Sequence, residues 1–477
     1  MSWPNIVAGL HRSVSKKSIP ERGQVLPDLP RSGYCWLALL LVICCLVAGC
    51  GGAHRKAAPP TPVAAPGSAD AIILAMLNNI KENGYNANPA INDSLGGLWI
   101  NWRYGTRPLQ TNLNGSGFAD GPERNPPRHD QLTDLRYLHA LWLYKSLHPA
   151  DTQFDGELKR YTAIVKHEFA RPENERGWLY DLLIDLYQLS DDAFYRQAAR
   201  SLAHYFASVL YHPDSGLSYR TSPDHPRGYY RVDLALEQGC ALIQAGTLFN
   251  EPGWRAAGLR LVEQVYAAAY LPRYHVLLYQ LDNVLLPDGR ANPNPTIFRG
   301  LSGHTKIEGG SIRLGAVAQE ILSLLHVYIV THDVTFLNRA TDLLSPLTVE
   351  QNSLGLWDRE QSGYFAGATF KGPDRQHAGE PRVNRKFKES GRQLQLLEAF
   401  RVANTVTHDR YLSMQQALLH LAVGKAYYAP GRGVLYQVTA DWQPVRLKNG
   451  QVQDWVTTEA MGIALEGLFS LQKAHPW

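Results

Sequence analysis

Residues 386–421 read KFKESGRQLQLLEAFRVANTVTHDRYLSMQQALLHL, and this stretch sets the fold. Apolar residues at Leu394, Leu396, Leu397, Phe400 and Val402 recur at helical spacing and predict one helix from Glu389 to about Thr407. Thr407-His408-Asp409 is too short for anything but a tight turn. A second helix follows, with Asp409 expected as its N-cap, Tyr411 as its first packing residue, and Leu412, Ala417, Leu418 and Leu421 along one face. Two helices on so short a link must lie antiparallel, as an αα-hairpin.

The same unit recurs. An acidic turn residue followed within three positions by an aromatic opens a helix at Asp151/Phe154, Asp192/Phe194, Glu251/Trp254, Asp333/Phe336 and Asp409/Tyr411. Repetition on this scale decides the architecture ahead of any motif. Extended to the whole chain, the periodicity predicts twelve helices: Asp70 to about Glu82, Asp130–Leu147, Phe154–Phe169, Trp178–Leu189, Asp192–Tyr211, Tyr229–Phe249, Trp254–Tyr270, Gly310–Val330, Phe336–Leu347, Glu389–Thr407, Asp409–Leu421 and Val456–Lys473. Their links alternate between short and long. Three long links hold a glycine turn with strand-like flanks, at Asp214–Tyr219, Gln361–Phe365 and Gly431–Tyr436, and read as small β-hairpins. The link 83–129 is dense in Asn, Gly and Pro and carries Trp99 and Trp102.

Six αα-hairpins with short links at one end and long glycine-turn links at the other resemble the (α/α)6 toroid of the six-hairpin glycosidase superfamily, which includes the N-acylglucosamine 2-epimerase-like proteins. The resemblance covers about residues 70–477. It implies an all-α fold whose even-numbered helices line the inside of a ring, and a cleft at the long-loop rim.

The first fifty residues read as an export signal. Basic residues Arg12, Lys16, Lys17, Arg22 and Arg31 precede an apolar run from Trp36 to Ala48 that is short for a membrane span. The run ends in Leu46-Val47-Ala48-Gly49-Cys50, which resembles a bacterial lipobox and implies cleavage before Cys50 and lipid on its sulfur. The expected organisation is therefore a signal at 1–49, a lipidated cysteine and Ala/Pro/Gly tether at 50–69, and one domain at 70–477, facing the extracytoplasmic side of a membrane. The segment before Cys50 carries +3 of the formal +4, so the remainder is nearly neutral and gives no footprint for nucleic acid. Of five cysteines only Cys240 follows Cys50; a disulfide framework is excluded, and Cys240 reads as a buried, inert thiol. No cofactor or metal motif is present: there is no phosphate loop, dinucleotide fingerprint or HExxH, and Gly300-Leu301-Ser302-Gly303 lacks the strand–turn–helix setting of a nucleophile elbow. A monomer is expected.

The resemblance places the N-terminal turns of six inner helices around the cleft. Those turns offer His129, Asp130 and Asp134; Trp178, Tyr180 and Asp181; Tyr229, Tyr230, Arg231, Asp233 and Glu237; Arg299, His304, Lys306, Glu308 and Arg313; Lys386, Lys388, Glu389 and Arg392; and Asp454, Trp455 and Glu459. Acids favour the first turn of any helix because of its dipole, so each alone is weak; the set facing one cavity is stronger. Glycoside hydrolysis needs one carboxyl that holds its proton and a second that activates water or attacks the anomeric carbon. The candidates are Asp233, Glu308, Asp181 and Asp130. Substrate contacts are expected from Trp99, Trp102, Trp178, Tyr230, His304, Arg392, Trp455 and Glu459, since indole and phenol rings stack on sugars. Three readings follow: a glycoside hydrolase acting on an oligo- or polysaccharide, an epimerase-like sugar isomerase, and a non-catalytic sugar-binding or envelope-assembly lipoprotein. The absence of a histidine at the start of the last helix, where Trp455 and Glu459 stand, weighs against the isomerase.

Overall fold

The computed structural model describes residues 67–111, 113, 131–297, 299–302, 305–308, 310–447 and 450–472, with side chains throughout except at 299–302 and 305–308. All lie in the unit Pro62–Trp477. The expected signal and Cys50 fall outside the described residues.

Twelve α-helices are present among them: α1 (Ala69–Asn83), α2 (Gln131–Leu147), α3 (Asp155–Glu168), α4 (Trp178–Ser190), α5 (Ala193–Tyr205), α6 (Val232–Leu248), α7 (Pro252–Ala269), α8 (Leu314–Thr331), α9 (Val334–Leu344), α10 (Ser390–Thr407), α11 (Leu412–Leu421) and α12 (Thr458–Ser470). Each even-numbered helix packs on the next, from α2 through α12 and back to α2, so the inner ring closes. The outer helices α3, α5, α7, α9 and α11 each back the inner helix before them. The sixth hairpin joins the two ends of the domain, α1 beside α12. Asn79 of α1 donates to the carbonyls of Gly431 (2.9 Å) and Arg432 (3.1 Å), and Gln472 reaches Asp70.

The short links share one device. Asp191, His332 and His408 end α4, α8 and α10 in the left-handed region, at φ 54°, 56° and 54°. This stops the helix and reverses the chain. In the first two, the next residue is extended and caps the following helix: Asp192 accepts from the Phe194 amide (3.0 Å) and Asp333 from that of Thr335 (2.9 Å). The third differs from expectation. Asp409 is itself left-handed (φ 61°), so it does not have the extended backbone of an N-cap. Asn404 accepts the Tyr411 amide instead (2.7 Å), and α11 starts at Leu412. Ser68 caps α1, its hydroxyl accepting the Ala71 amide at 3.2 Å.

α8 is long and apolar enough to cross a membrane by length and composition, with mean hydropathy 1.5, yet most of it is buried as an inner helix. α6 and α7 approach closely because Gly239 and Gly258 face one another; a Cβ on Gly258 would lie 2.5 Å from the Gly239 carbonyl oxygen.

The long links carry short antiparallel strands. Tyr211–His212 pairs with Leu217–Ser218, and Tyr427–Tyr428 with Gly433–Val434; the third expected hairpin is a single bridge between Trp357 and Tyr364. Strands also lead into inner helices. His225–Arg231 pairs with Gln280–Asp282 before α6, Ser311–Arg313 with Gly367–Thr369 before α8, and Val456–Thr457 with Asn101–Trp102 before α12. The helix starts expected at Tyr229 and Val456 are therefore strand residues, and Gly310 is a turn just before the strand Ser311–Arg313, because pairing with distant loops outweighs local helical periodicity.

Candidate active site

Four guanidiniums and several carboxyls form an arc at the N-terminal rim of the inner ring. Arg231 is the last strand residue before α6, and Asp233 is in its first turn. Arg231 grips Asp233 through two hydrogen bonds, Nε to Oδ1 at 3.0 Å and Nη2 to Oδ2. Arg176, just before α4, adds a second cation 3.7 Å from Asp233 Oδ2. The guanidiniums of Arg231 and Arg313 lie 4.9 Å and 4.7 Å from the ring centre of Tyr279, within cation–π range. Arg313 is exposed and makes no ion pair among the described residues.

Arg392, in the first turn of α10, lies across Gly315 of α8, where a Cβ would fall 2.5 Å from its Nε. It donates to Glu459 of α12 (2.7 Å) and Gln395 (2.9 Å). Glu389 and Tyr436 are close to it. Burial raises the Glu389 carboxyl above its usual range, with Arg392 and Arg313 opposing. Tyr436 is also raised by burial and by Glu389 and Glu459. Asp233 reaches this group too, and helps to hold the proton on Arg392. Under the arc, Arg136 of α2 pairs with Glu466 of α12 and stacks on Trp178 at 3.9 Å. Burial and the nearby Arg392 lower it to about 10.

Two carboxyls lie one turn deeper. Glu237 follows Asp233 on the same face of α6 and accepts the Gly177 amide (3.1 Å). Burial first, and then Asp233, raise it to about 8 against the pull of Arg176 and Arg231. Glu320 of α8 is 1 % exposed, and neither of its oxygens has a hydrogen-bond partner. Burial, Asp233 and Glu237 push it well above the carboxylate range. Burial thus favours the neutral form of both, while Asp233 sits between two guanidiniums. Neighbouring carboxyls in such unlike environments are what acid–base chemistry requires.

Of the residues expected at the cleft, Asp233, Arg392 and Glu459 come together. Asp181 does not join them. Its oxygens are engaged by Gln244 (3.0 Å) and His326 (3.1 Å), both far along α6 and α8, and it is 6 % exposed. α4 begins deeper than α6, with Gly177 against the backbone of Glu237. His326 gains proton affinity from Asp181 although burial opposes it, and His139 similarly meets Asp185 (3.0 Å). Asp134 accepts the Leu98 amide (2.9 Å) and fixes a loop. Lys388 is fully buried, and its ammonium donates to Asp358 (2.8 Å) and the carbonyls of Ser362 (2.8 Å) and Ala440 (2.6 Å), so it joins three loop segments.

The aromatic expectations need correction. Trp102 and Trp455 are 0 % exposed; Trp102 donates to Asn79 (3.0 Å) within the core. Neither ring is open to a sugar. Trp178 lies under Arg136, Tyr230 is buried, and Trp99 is half-buried against the core. Asp130 and His304 lie outside the described residues; Glu308 belongs to the strand Thr305–Glu308, and its side chain is likewise outside them. Sequence reasoning missed Arg136, Arg176, Tyr279, Glu320 and Tyr436. Glu320 did carry a signal, as the single acid in the apolar run of α8. Among the described residues no cluster of His, Cys, Asp and Glu has metal-binding geometry.

The fold is shared with carbohydrate-active proteins of known structure. The unsaturated glucuronyl hydrolase of Bacillus sp. GL1 matches over 85 % of this chain and 96 % of its own, at TM-score 0.56 and 15 % identity. A D-mannose isomerase matches over 85 % and 97 %, at TM-score 0.55 and 10 % identity. A family 76 glycoside hydrolase from a bovine Bacteroides thetaiotaomicron strain matches over 85 % and 77 %, at TM-score 0.52 and 12 % identity. The common element is the (α/α)6 toroid with its six hairpins. No protein-family model matches the chain, and no curated protein matches it in sequence.

Proposed function

We propose that this chain is a glycoside hydrolase working at the arginine-lined rim. The observation that carries the reading is the pairing of unlike carboxyls there: Asp233, clamped by Arg231 and Arg176, and the half-buried Glu389, whose proton affinity burial raises. In this scheme Glu389 delivers its proton to the leaving glycosidic oxygen. Asp233 activates water or attacks the anomeric carbon, with Arg231 fixing its orientation. Burial disfavours the charged forms of Glu237 and Glu320 beneath it, which limits the negative charge facing Asp233. Two of the fold neighbours described are glycoside hydrolases, which supports the reading at the level of scaffold.

Sugar isomerisation is the second reading, supported by the D-mannose isomerase of the same fold. It needs a group to take a proton beside a carbonyl and one to return it. The inner-helix imidazoles His139 and His326 are occupied with Asp185 and Asp181 below the rim, which favours hydrolysis. The N-terminal stretch that reads as an export signal, with its lipobox-like end at Cys50, further supports a lipid-anchored enzyme of the cell envelope, acting on an oligo- or polysaccharide outside the cytoplasm.

The test is reducing-sugar release by the full chain from a panel of polysaccharides, beside Asp233→Asn, Glu389→Gln and Glu308→Gln. Turnover of one glycan that falls at least about a hundredfold in Asp233→Asn, with circular dichroism unchanged, is the expected result. Equal turnover by Asp233→Asn and Glu389→Gln would remove both assignments. Aldose–ketose conversion without glycan cleavage would establish the second reading.

A further inference from the structure

The rim is richer in cations than acid–base chemistry on a neutral sugar requires. Arg176, Arg231, Arg313 and Arg392 lie on one arc, joined through Tyr279 and Tyr436. Asp233 and Glu459 balance two of them. Arg313 is left without an ion pair among the described residues, and burial disfavours the charged forms of Glu237 and Glu320 beneath it. Recognition of neutral sugars uses exposed indole rings and acceptor side chains, and here the indoles of Trp102 and Trp455 are sealed in the core. At this rim the guanidiniums of Arg231 and Arg313 share the ring of Tyr279, at 4.9 Å and 4.7 Å. Stacking on a ring fixes the plane of a guanidinium and leaves its edge for a planar anion, the arrangement suited to a carboxylate.

We propose that the site takes an acidic glycan, whose sugar ring carries a carboxylate held by Arg313 against Tyr279, beside the Asp233-bound Arg231. The inference rests on the carbohydrate reading above and narrows it to uronic-acid polymers. The carboxylate fills the position that completes Arg313, next to Asp233. The sugar ring is thereby oriented with respect to Glu389. Attraction should also be long-ranged, since the arc has net positive charge in a chain whose remainder is nearly neutral.

Methyl esterification removes the charge of a uronic acid and keeps its ring, so it isolates the point. Oligomers of galacturonate, glucuronate and mannuronate, and their methyl esters, are titrated into the full chain in detergent micelles by calorimetry. Reducing-sugar release is followed in parallel on these oligomers and on neutral oligosaccharides. One acid should bind at least about tenfold tighter than its ester, the value of a charge-assisted pair. The difference should shrink at high salt, vanish in Arg313→Gln and be partly kept in Arg313→Lys. Arg313 is exposed, so its replacement leaves the fold intact, which circular dichroism checks. Equal binding of acid and ester overturns the inference. So does preference for a sulfated oligosaccharide over every uronate. Turnover of a neutral glycan, lost in Asp233→Asn and indifferent to Arg313→Gln, overturns it while the hydrolase reading stands. Ester-sensitive binding with no cleavage of any glycan keeps the acidic ligand and removes hydrolysis.

Discussion

Gly177 and Glu237 touch through both backbone and side chain. The Gly177 amide donates to the Glu237 carboxyl at 3.1 Å, and a Cβ on Gly177 would lie 2.3 Å from the Glu237 carbonyl carbon. The contact sets how deep α4 sits against α6. Backbone opposite the glycine cannot swing aside as a side chain would. Gly177→Ala should therefore lower stability by about 1–3 kcal/mol or more, measured by urea denaturation. It should also weaken turnover, because Trp178 and the Arg136 stacked on it move with α4. Wild-type stability in this variant would show that α4 is free to shift.

Glu237 also gives a pH signature. Its carboxyl is raised to about 8 in the fold and titrates near the ordinary glutamate value when unfolded. Between these values the native state binds the extra proton, so stability falls as pH rises. The contribution is complete below the unfolded value and lost by about pH 8. Glu320 acts in the same direction. In Glu237→Gln the melting temperature should gain on wild type steadily from pH 5 to pH 8. A gap that stays constant across that range would mean that Glu237 is ionised in the fold.

What the sequence made legible follows from range. The hairpins were readable because their determinants are local: the Asp191-Asp192 and His332-Asp333 turns write both the helix stop and the next cap within two residues. Asp409 misled because the same letters adopt another backbone, with Asn404 five residues earlier supplying the acceptor. Tyr229 and Ser311 read as helical and are strand, since Gln280–Asp282 and Gly367–Thr369 bond to those segments from afar. At the candidate site, the proximity of Asp233, Arg392 and Glu459 was legible because helix order places first turns at one rim. Arg136 and Glu320 were not, because which flank of an inner helix faces the axis depends on the neighbours that α2 and α8 pack against. Trp102 and Trp455 show the reverse error: an indole count measures supply and says nothing of exposure.

Lys388 offers a stability test away from chemistry. All three ammonium donors are used, on Asp358 and the Ser362 and Ala440 carbonyls, at 0 % side-chain exposure. Burial lowers its proton affinity, with Asp358 opposing that effect. Lys388→Met strands Asp358 and two carbonyls and should cost about 3–5 kcal/mol in urea denaturation at pH 7. The double variant with Asp358→Asn should recover part of that loss. An additive double variant would show that the two groups act separately.

Cys50 carries the envelope proposal. Cells expressing the full chain should incorporate labelled palmitate into it and hold it in the membrane fraction. Cys50→Ala should abolish the labelling and release the protein, with turnover per molecule retained. Palmitate on the Cys50→Ala chain would place the lipid elsewhere.

The sixth hairpin, α1 with α12, is assembled from opposite ends of the domain, with Asn79 bonded to Gly431 and Arg432 and Gln472 reaching Asp70. During biosynthesis α1 is made first, and its partner is supplied last. For most of that time it must be shielded or left waiting. The ring is consequently a clasp that shuts only after α12 has been made, and a nascent chain still lacking α12 would present an open edge to chaperones and proteases. The same seam has a use: with both ends adjacent, a short linker across it would let the domain be restarted at another of its surface turns.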